Sequence, residues 1–217
     1  MLSLRFDKNK DSPYRVLCLG AHADDIEIGC GATVLKLIED YKNVEFYWVV
    51  FSADEIRTEE ARASASLFLK AALSQQVVVE KFRDSFFNFI GAEIKEYFQQ
   101  IRKEFEPDLI LTHYRHDLHQ DHRVISELTW NTYRDHLILE YEIPKYDGDL
   151  GTPNLFFCPS NDQCKKKVRY IMDSFGSQKD KGWFTENTFL SIMRIRGIES
   201  NASSKYAEAF YCRKITL

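Results

Sequence analysis

Four of the six histidines in this chain lie within ten residues of one another, in residues 113–122. The members of this cluster are His113, His116, His119 and His122. Packing rarely requires such a density of imidazoles, whereas metal binding and proton transfer both use them. The cluster therefore predicts a metal site or an acid-base site.

A second stretch, residues 21–33, combines a histidine with two adjacent acids. It reads AHADDIEIGCGAT and contains His22, Asp24 and Asp25. Two imidazoles and one carboxylate, with a fourth position for water, form a catalytic zinc site, and such nitrogen and oxygen ligands also suit Fe²⁺. Zinc would lower the pKa of its water and polarise a substrate carbonyl. One of the two aspartates would bind the metal, and the other would take a proton from the water.

The secondary-structure pattern predicts how these stretches are brought together. Apolar runs predict strands, and these lie at 15–20, 44–52, 76–82, 108–112 and 155–158. Amphipathic patterns predict helices, and these lie at 33–40, 55–73, 91–105, 122–137 and 164–175. The alternation indicates an α/β fold, a three-layer Rossmann-like, mainly parallel sheet with helices on both faces. Ligands bind beyond the carboxyl ends of such strands, so we expect the charged stretches to meet at one rim of the sheet.

Glycines and prolines mark two further regions of the chain. Gly29 and Gly31 open the region before the first predicted helix, and they should let it pack close to the sheet. Prolines and glycines in residues 141–153 predict a loop, which we expect to line a site.

Length and composition narrow the class of protein. The 217 residues suit one domain, 1–217, and the net charge of −4 with a pI near 5.9 argues against a nucleic-acid partner. Neither a membrane span nor an apolar export segment in the first 13 residues is expected. The five cysteines are scattered and lack a C-x-x-C pair, which favours a reducing, cytoplasmic location. Homo-oligomer formation is left open.

The two charged stretches resemble the signature of the PIG-L/LmbE-like zinc-dependent deacetylases. The first reads AHADDIEIGCGAT and the second HQDH, and IRTEEA, GSQ and YAEAF extend the resemblance over most of the chain. The sequence departs from the family pattern at Ala23, where proline is usual, and at Ile26, where many members carry glutamate. Neither change removes a metal ligand or a base.

The resemblance implies a role for each charged residue at the centre of the site. It makes His22, Asp25 and His122 the ligands of zinc, with Fe²⁺ as a second metal that fits such ligands. It makes Asp24 the general base. The residues alone did not distinguish ligands among the four clustered histidines.

Four further residues receive roles outside the metal shell. By resemblance, His119 and Asp121 form a pair in which a histidine, oriented by a carboxylate, stabilises the oxyanion or protonates the leaving amine. Arg57 would contact substrate. Asp84 follows the third predicted strand, so we expect it near the same rim as a substrate-binding residue, although aspartates in such positions also form turns.

The implied activity is removal of an acetyl group from a small-molecule N-acetylated amino sugar or glycoconjugate. Zinc-bound water would attack the amide carbonyl, with Asp24 as base. A non-catalytic module that binds a sugar or nucleotide sugar and retains the fold and metal site is the alternative. An all-helical HD-type phosphohydrolase conflicts with the strand pattern, and the glycines of residues 20–31 do not fit a G-x-G-x-x-G nucleotide fingerprint.

Overall fold

A seven-stranded sheet forms the centre of the computed structural model, which describes residues 12–216. The strands are β1 Tyr14–His22, β2 Val44–Ser52, β3 Ser74–Val79, β4 Leu109–His113, β5 Leu137–Tyr141, β6 Leu155–Phe157 and β7 Glu208–Cys212. Their order is β3-β2-β1-β4-β5-β7-β6; the first five are parallel, and β7 pairs antiparallel with both β5 and β6. The predicted mainly parallel sheet is confirmed. The expectation about an export segment falls largely outside the described residues.

Six α-helices cover the two faces of this sheet within the described chain. They are α1 Asp25–Asp40, α2 Glu55–Phe68, α3 Gly91–Glu104, α4 Gln120–Thr132, α5 Asn161–Ser174 and α6 Glu186–Glu199. One hydrophobic core joins α1, α2, α5 and α6 to one face, and a second joins α3 and α4 to the other. The three layers are as predicted. None of the helices in residues 12–216 is long and apolar enough to cross a bilayer.

The start of α1 differs from the prediction. This helix begins at Asp25, eight residues before the predicted start at 33, so most of the acidic stretch is helical and not a loop. Residues 25–34 are almost completely buried between the sheet and neighbouring helices, and Cys30 departs from helical geometry at φ −144° and ψ 17°. Tertiary packing therefore stabilises a segment whose glycines and charges argue against a helix.

The end of α4 was also predicted wrongly. The helix covers 120–132, while residues 137–141, of which 137 was assigned to the end of a helix and 141 to the start of a loop, form the interior strand β5. β5 is buried between β4 and β7, so sheet pairing decides its conformation. The pattern also left α6 and β7 unassigned.

Gly29 and Gly31 allow the close packing expected of them. A Cβ at Gly29 would lie 2.1 Å from the Tyr141 ring of β5, and one at Gly31 would lie 2.7 Å from the Phe68 ring of α2. α1 therefore approaches both the sheet and α2 more closely than a side chain would permit.

The first part of the chain creates a crevice between β1 and β4. From β1 the chain passes through α1 to β2 on one side, whereas β4 pairs with β1 on its other side. Such a reversal of strand order opens a crevice at the carboxyl ends of the strands. His22 ends β1 and His113 ends β4, so both charged stretches begin there.

A buried ion pair joins the C-terminal strand to α1. The Glu208 carboxylate of β7 accepts the backbone N–H groups of Ala32 and Thr33 at 3.0 and 2.6 Å. Lys167 of α5 donates to Glu208 at 2.5 Å and to the Ile28 carbonyl at 2.6 Å. The later part of the chain thus fixes the helix that carries the acidic stretch.

Candidate active site

Three side-chain atoms converge at the crevice between β1 and β4. His22 Nδ1 lies 3.3 Å from His122 Nε2. Asp25 Oδ2 lies 3.4 Å from His22 Nδ1 and 3.5 Å from His122 Nε2. Tetrahedral ligands about 2.1 Å from a zinc ion lie about 3.4 Å apart. The three atoms therefore have both the chemistry and the spacing of a zinc ligand set.

Each histidine of this set is held by a carboxylate at its other ring nitrogen. His122 Nδ1 lies 2.9 Å from Asp117 Oδ2. His22 Nε2 lies 3.2 Å from Asp121 Oδ2 and 3.1 Å from Asp84 Oδ1. Carboxylates in these positions fix the tautomer and orientation of metal-binding imidazoles. They leave His22 Nδ1 and His122 Nε2 as the metal-facing atoms.

Asp121 is placed to orient His22, not His119. Its carboxylate is completely buried and accepts the backbone N–H groups of Ser85, at 2.7 Å, and Phe87, at 3.2 Å. Its backbone N–H donates to His119 Nδ1 at 3.3 Å, but the described contacts of its carboxylate are to His22 and the loop backbone. In the structure this carboxylate contacts His22 in place of the His119 ring that the resemblance implied.

His119 lies beside His22 and His122, and its Nδ1 already accepts a hydrogen bond. Its ring centroid is 4.5 Å from that of His122 and 4.9 Å from that of His22. Burial and the charge of His22 lower the pKa of His119, which favours the neutral ring. Because Nδ1 accepts the Asp121 N–H, the neutral ring carries its proton on Nε2. His119 can therefore donate a hydrogen bond into the cavity.

Asp24 faces the cavity next to Asp25. Arg57 Nη2 lies 2.9 Å from Asp24 Oδ1, and Arg57 also approaches Glu60 at 3.5 Å. Burial raises the pKa of Asp24, Arg57 opposes this, and Asp25 adds to it. A carboxylate with a raised pKa, fixed by an ion pair, is suited to accept a proton. Arg57 lines the cavity as expected and contacts Asp24 as well.

Besides His119, two histidines of the cluster lie outside this ligand set. His113 could form a set with Asp25 and His122 on distance alone, but its Nε2 accepts the Ala21 N–H at 2.9 Å, so that lone pair is occupied. His113 is buried and stacks on His122 with ring centroids 3.9 Å apart. His116 is exposed, with its ring against Tyr114.

Asp117 is the site residue that the sequence reasoning missed. It lies inside the histidine cluster, and its position five residues before His122 places it opposite Nδ1 across the start of α4. Burial opposes its ionisation, but the hydrogen bond and charge of His122, with His113 and Lys145, lower its pKa to about 2. The signal available was an acid within a metal-binding cluster.

A cavity of about 750 Å³ opens in front of these residues. Its floor includes His22, Asp24 and Asp25, and Asp84 and Arg57 line it as predicted. The far wall comes from residues 143–147 and 177–183, which include part of the predicted loop and of the GSQ segment. A volume of this size suits a drug-sized ligand.

Comparison with known proteins gave matches to one family and to several solved structures. The family model for PIG-L, described as GlcNAc-PI de-N-acetylase, matches residues 17–133. No curated protein sequence matched. Because the structural matches below are all under 25% identical, they bear on the fold alone.

Three of these structures illustrate the range of activities named among the matches. N,N'-diacetylchitobiose deacetylase from Pyrococcus horikoshii is 21% identical, with 93% of this chain and 84% of that chain covered and a TM-score of 0.71. The zinc-inhibited form of teicoplanin deacetylase Orf2 is 15% identical, with 91% and 97% covered and a TM-score of 0.65. GalB, the 4-carboxy-2-hydroxymuconate hydratase from Pseudomonas putida KT2440, is 14% identical, with 94% and 98% covered and a TM-score of 0.68.

Proposed function

Because this chain belongs to the PIG-L family, whose model matches residues 17–133, we propose that it is a metal-dependent N-deacetylase. Its substrate would be an N-acetylated amino sugar or a glycoconjugate that carries one. The observation that supports this most strongly is the ligand triangle of His22, Asp25 and His122 with Asp24 beside it. The fold alone would not separate this activity from that of a hydratase such as GalB, so the argument depends on these side chains.

The ligand triangle is the proposed metal site. His22 and His122 offer neutral nitrogens, and Asp25 offers a charged oxygen, a set that suits Zn²⁺ and also accepts Fe²⁺. When bound, the ion would activate water and polarise the amide carbonyl. The carboxylates of Asp117 and Asp121 hold the two imidazoles in the orientation that binding requires.

Asp24 acts as general base in this proposal. It takes a proton from the attacking water while a C–O bond forms at the amide carbon. Arg57 holds the Asp24 carboxylate in place at 2.9 Å, so the base need not reorient during the reaction. When the C–N bond breaks, Asp24 returns the proton to the amine nitrogen, so that the amine and acetate leave.

His119 stabilises the charge that develops on the carbonyl oxygen. Its Nε2–H is the free donor at the edge of the metal site, because Nδ1 is occupied. A preorganised donor of this type typically contributes about 10²–10³ in rate. The neutral ring donates a hydrogen bond without needing to be protonated first.

Asp84 is a substrate-binding residue in the proposal. It shares the single Nε2–H of His22 with Asp121, which is buried and fixed by backbone donors. The Asp84 side chain is 69% exposed at the cavity. It therefore has oxygens available for a hydroxyl or amine group of the substrate.

The test is release of acetate and of a free amine from a panel of N-acetylated sugars by zinc-loaded protein. Asp24→Asn should retain stoichiometric zinc and lose about 10²–10⁴ of the rate, because only the base is removed. Asp173→Asn, at an exposed residue outside the cavity lining, is the matched control and should retain full activity.

Other outcomes would count against the proposal. Zinc binding without cleavage of any amide in a broad panel would favour the alternative of a sugar-binding module that retained the site. Failure of the wild-type protein to bind metal would contradict the ligand assignment itself. Since all five cysteines are free, the proposal places the protein in the reducing cytoplasm.

A further inference from the structure

Three exposed aspartates surround the mouth of the cavity. They are Asp54 at the start of α2, Asp84 after β3, and Asp147 in the segment after β5, and we refer to them as the acidic rim. Asp84 contacts His22, and Asp54 accepts the Arg57 backbone N–H. No ion pair with lysine or arginine involves any of the three within residues 12–216. Their charges therefore face whatever enters the cavity.

Two of the three cations that line the cavity are already neutralised. Arg57 lies 2.9 Å from Asp24 and 3.5 Å from Glu60. Lys145 lies 3.0 Å from Asp117 and 2.5 Å from Asp149. Each cation thus has two carboxylate partners and little positive charge to offer a ligand. A divalent metal would likewise be balanced by Asp25 and by the buried Asp121 carboxylate, which lies 3.2 Å from His22.

Lys181 is the remaining cation of the lining. In the described part of the chain its ammonium has no carboxylate partner, and it lies 5.9 Å from the centre of the Trp183 ring. One lysine against three rim carboxylates leaves the mouth negative. Low-dielectric cavity walls strengthen such a field and set which charges approach easily.

Aromatic side chains on the far wall give the cavity a second basis for selecting its ligand. Tyr146 and Trp183 both line the cavity, and Tyr146 is highly exposed. Aromatic side chains such as these have large apolar ring faces and one polar edge. They suit ligands whose flat faces are apolar and whose edges carry polar groups. Sugar rings have this character.

We infer that the cavity selects an uncharged or cationic glycan and rejects sugars that carry phosphate; this inference rests on the proposed deacetylase function. The acidic rim repels a phosphate dianion, while Asp84 and Asp147 can pair with the ammonium of an amino sugar neighbouring the acetylated one. The preferred substrate is then an oligosaccharide of amino sugars, partly or wholly N-acetylated. This distinguishes the chain from an enzyme built for a phosphate-linked sugar.

The experiment measures binding by calorimetry to zinc-loaded His119→Gln protein, in which loss of the oxyanion donor slows turnover while the Asp24–Arg57 pair keeps the charge of the cavity unchanged. The probes share two rings: N,N'-diacetylchitobiose, its form with one free amine, and its 1-phosphate. We expect the neutral and cationic probes to bind more tightly than the phosphate at low ionic strength. Added salt should narrow the difference, because screening weakens interactions between exposed charges.

Asp147→Lys in the same protein tests the effect of the acidic rim by itself. It should tighten phosphate binding by about fivefold at low ionic strength and weaken binding of the amine probe, as Coulomb's law requires for a change of two charges some ångströms away. Asp173→Lys, which makes the same change away from the cavity, should leave all three affinities unchanged.

The outcomes separate this inference from the function on which it rests. Preferential binding of the phosphate probe, affinities insensitive to Asp147→Lys, or no binding of any probe would overturn the inference. If the probes bind in the expected order but wild-type protein cleaves no amide, recognition stands and the deacetylase proposal fails. If wild-type protein deacetylates but prefers the phosphate, only the inference fails.

Discussion

At the scale of single residues, His22 holds a position that couples metal binding to protons. One ring nitrogen faces the proposed metal site and the other faces Asp121 and Asp84. Burial opposes its protonation, but the hydrogen bonds with Asp121, Asp25 and Asp84 raise its pKa well above the ordinary value. In metal-free protein the ring is therefore protonated at neutral pH.

We predict that zinc binding displaces the His22 proton. His122 contributes no proton, because burial and the charge of His113 lower its pKa to about 4. At pH values below its raised pKa, His22 holds a proton that competes with zinc for the ring. Zinc affinity in that range should therefore fall about tenfold for each pH unit of acidification. Calorimetric titration in two buffers of different ionisation enthalpy should count about one proton released at pH 7.

Asp84→Asn is the matched variant for this measurement. It removes one of the carboxylates that raise the His22 pKa and leaves the buried Asp121 in place. Proton release should then decline at a lower pH than in wild-type protein. Zinc affinity independent of pH between 6 and 8, with no protons released, would show that His22 is neutral before metal binds.

Sequence reasoning identified this chemistry but not all of its residues. The density of histidines and the adjacent aspartates predicted a metal site, and resemblance distinguished His22, Asp25 and His122 from the other candidates. Neither could foresee that the Asp121 carboxylate contacts His22, because that contact depends on a loop from another part of the chain, whose Ser85 and Phe87 amides fix the carboxylate.

At the scale of secondary-structure elements, the position of α1 decides the position of two acids. Asp24 and Asp25 begin this helix, and its second turn lies against the sheet through Gly29. A Cβ at Gly29 would meet the buried Tyr141 ring at 2.1 Å, a distance that only movement of the helix or the ring can relieve.

Gly29→Ala should therefore destabilise the protein by about 1–3 kcal/mol through overpacking. It should also weaken zinc binding, since Asp25 moves with the helix. Urea unfolding of metal-free protein measures the first effect, and competition with a chelator measures the second. Gly91→Ala is the control, because a Cβ at the start of α3 meets no heavy atom within 4 Å. A Gly29→Ala variant as stable as Gly91→Ala would mean that α1 and Tyr141 do not pack this closely.

The elements themselves were predictable where local pattern and packing agree. The apolar runs of β1, β2 and β4 read as strands because parallel strands are buried on both faces. The start of α1 was missed because its acids and glycines favour a loop locally, and only burial against the sheet and α2 makes them helical. β5 was missed because its apolar run is only three residues long, 137–139, and fits a buried helix end as well as a strand.

At the scale of the whole molecule, the Lys167–Glu208 pair connects the ends of the fold. The pair is almost fully buried and fixes β7 and α5 to α1. Lys167→Met leaves Glu208 buried with two backbone donors but no cation. Breaking a buried pair from one side typically costs about 3–5 kcal/mol, and we expect a loss in that range in the free energy of unfolding.

Lys36→Met provides the control for the Lys167 variant. Lys36 pairs with Asp40 at 2.9 Å on the surface of α1, where an ion pair is worth less than about 1 kcal/mol. Equal losses for the two variants in chemical denaturation would show that the buried pair has no special role. A much larger loss for Lys167→Met would show that the C-terminal strand stabilises the helix that begins at the metal site.

The two walls of the cavity come from different parts of the chain. The proposed metal ligands, Asp24 and His119 all lie in residues 17–133, the part that the family model matches, whereas Lys145, Asp147 and Trp183 come from later residues. The reacting groups therefore lie in one stretch, whereas recognition is shared between Asp54 and Asp84 of that stretch and these later residues. A combinatorial library confined to 143–147 and 179–183 would retain every reacting group while it varied the opposite wall, which makes this fold a practical starting point for directed evolution of deacetylases with chosen glycan preferences.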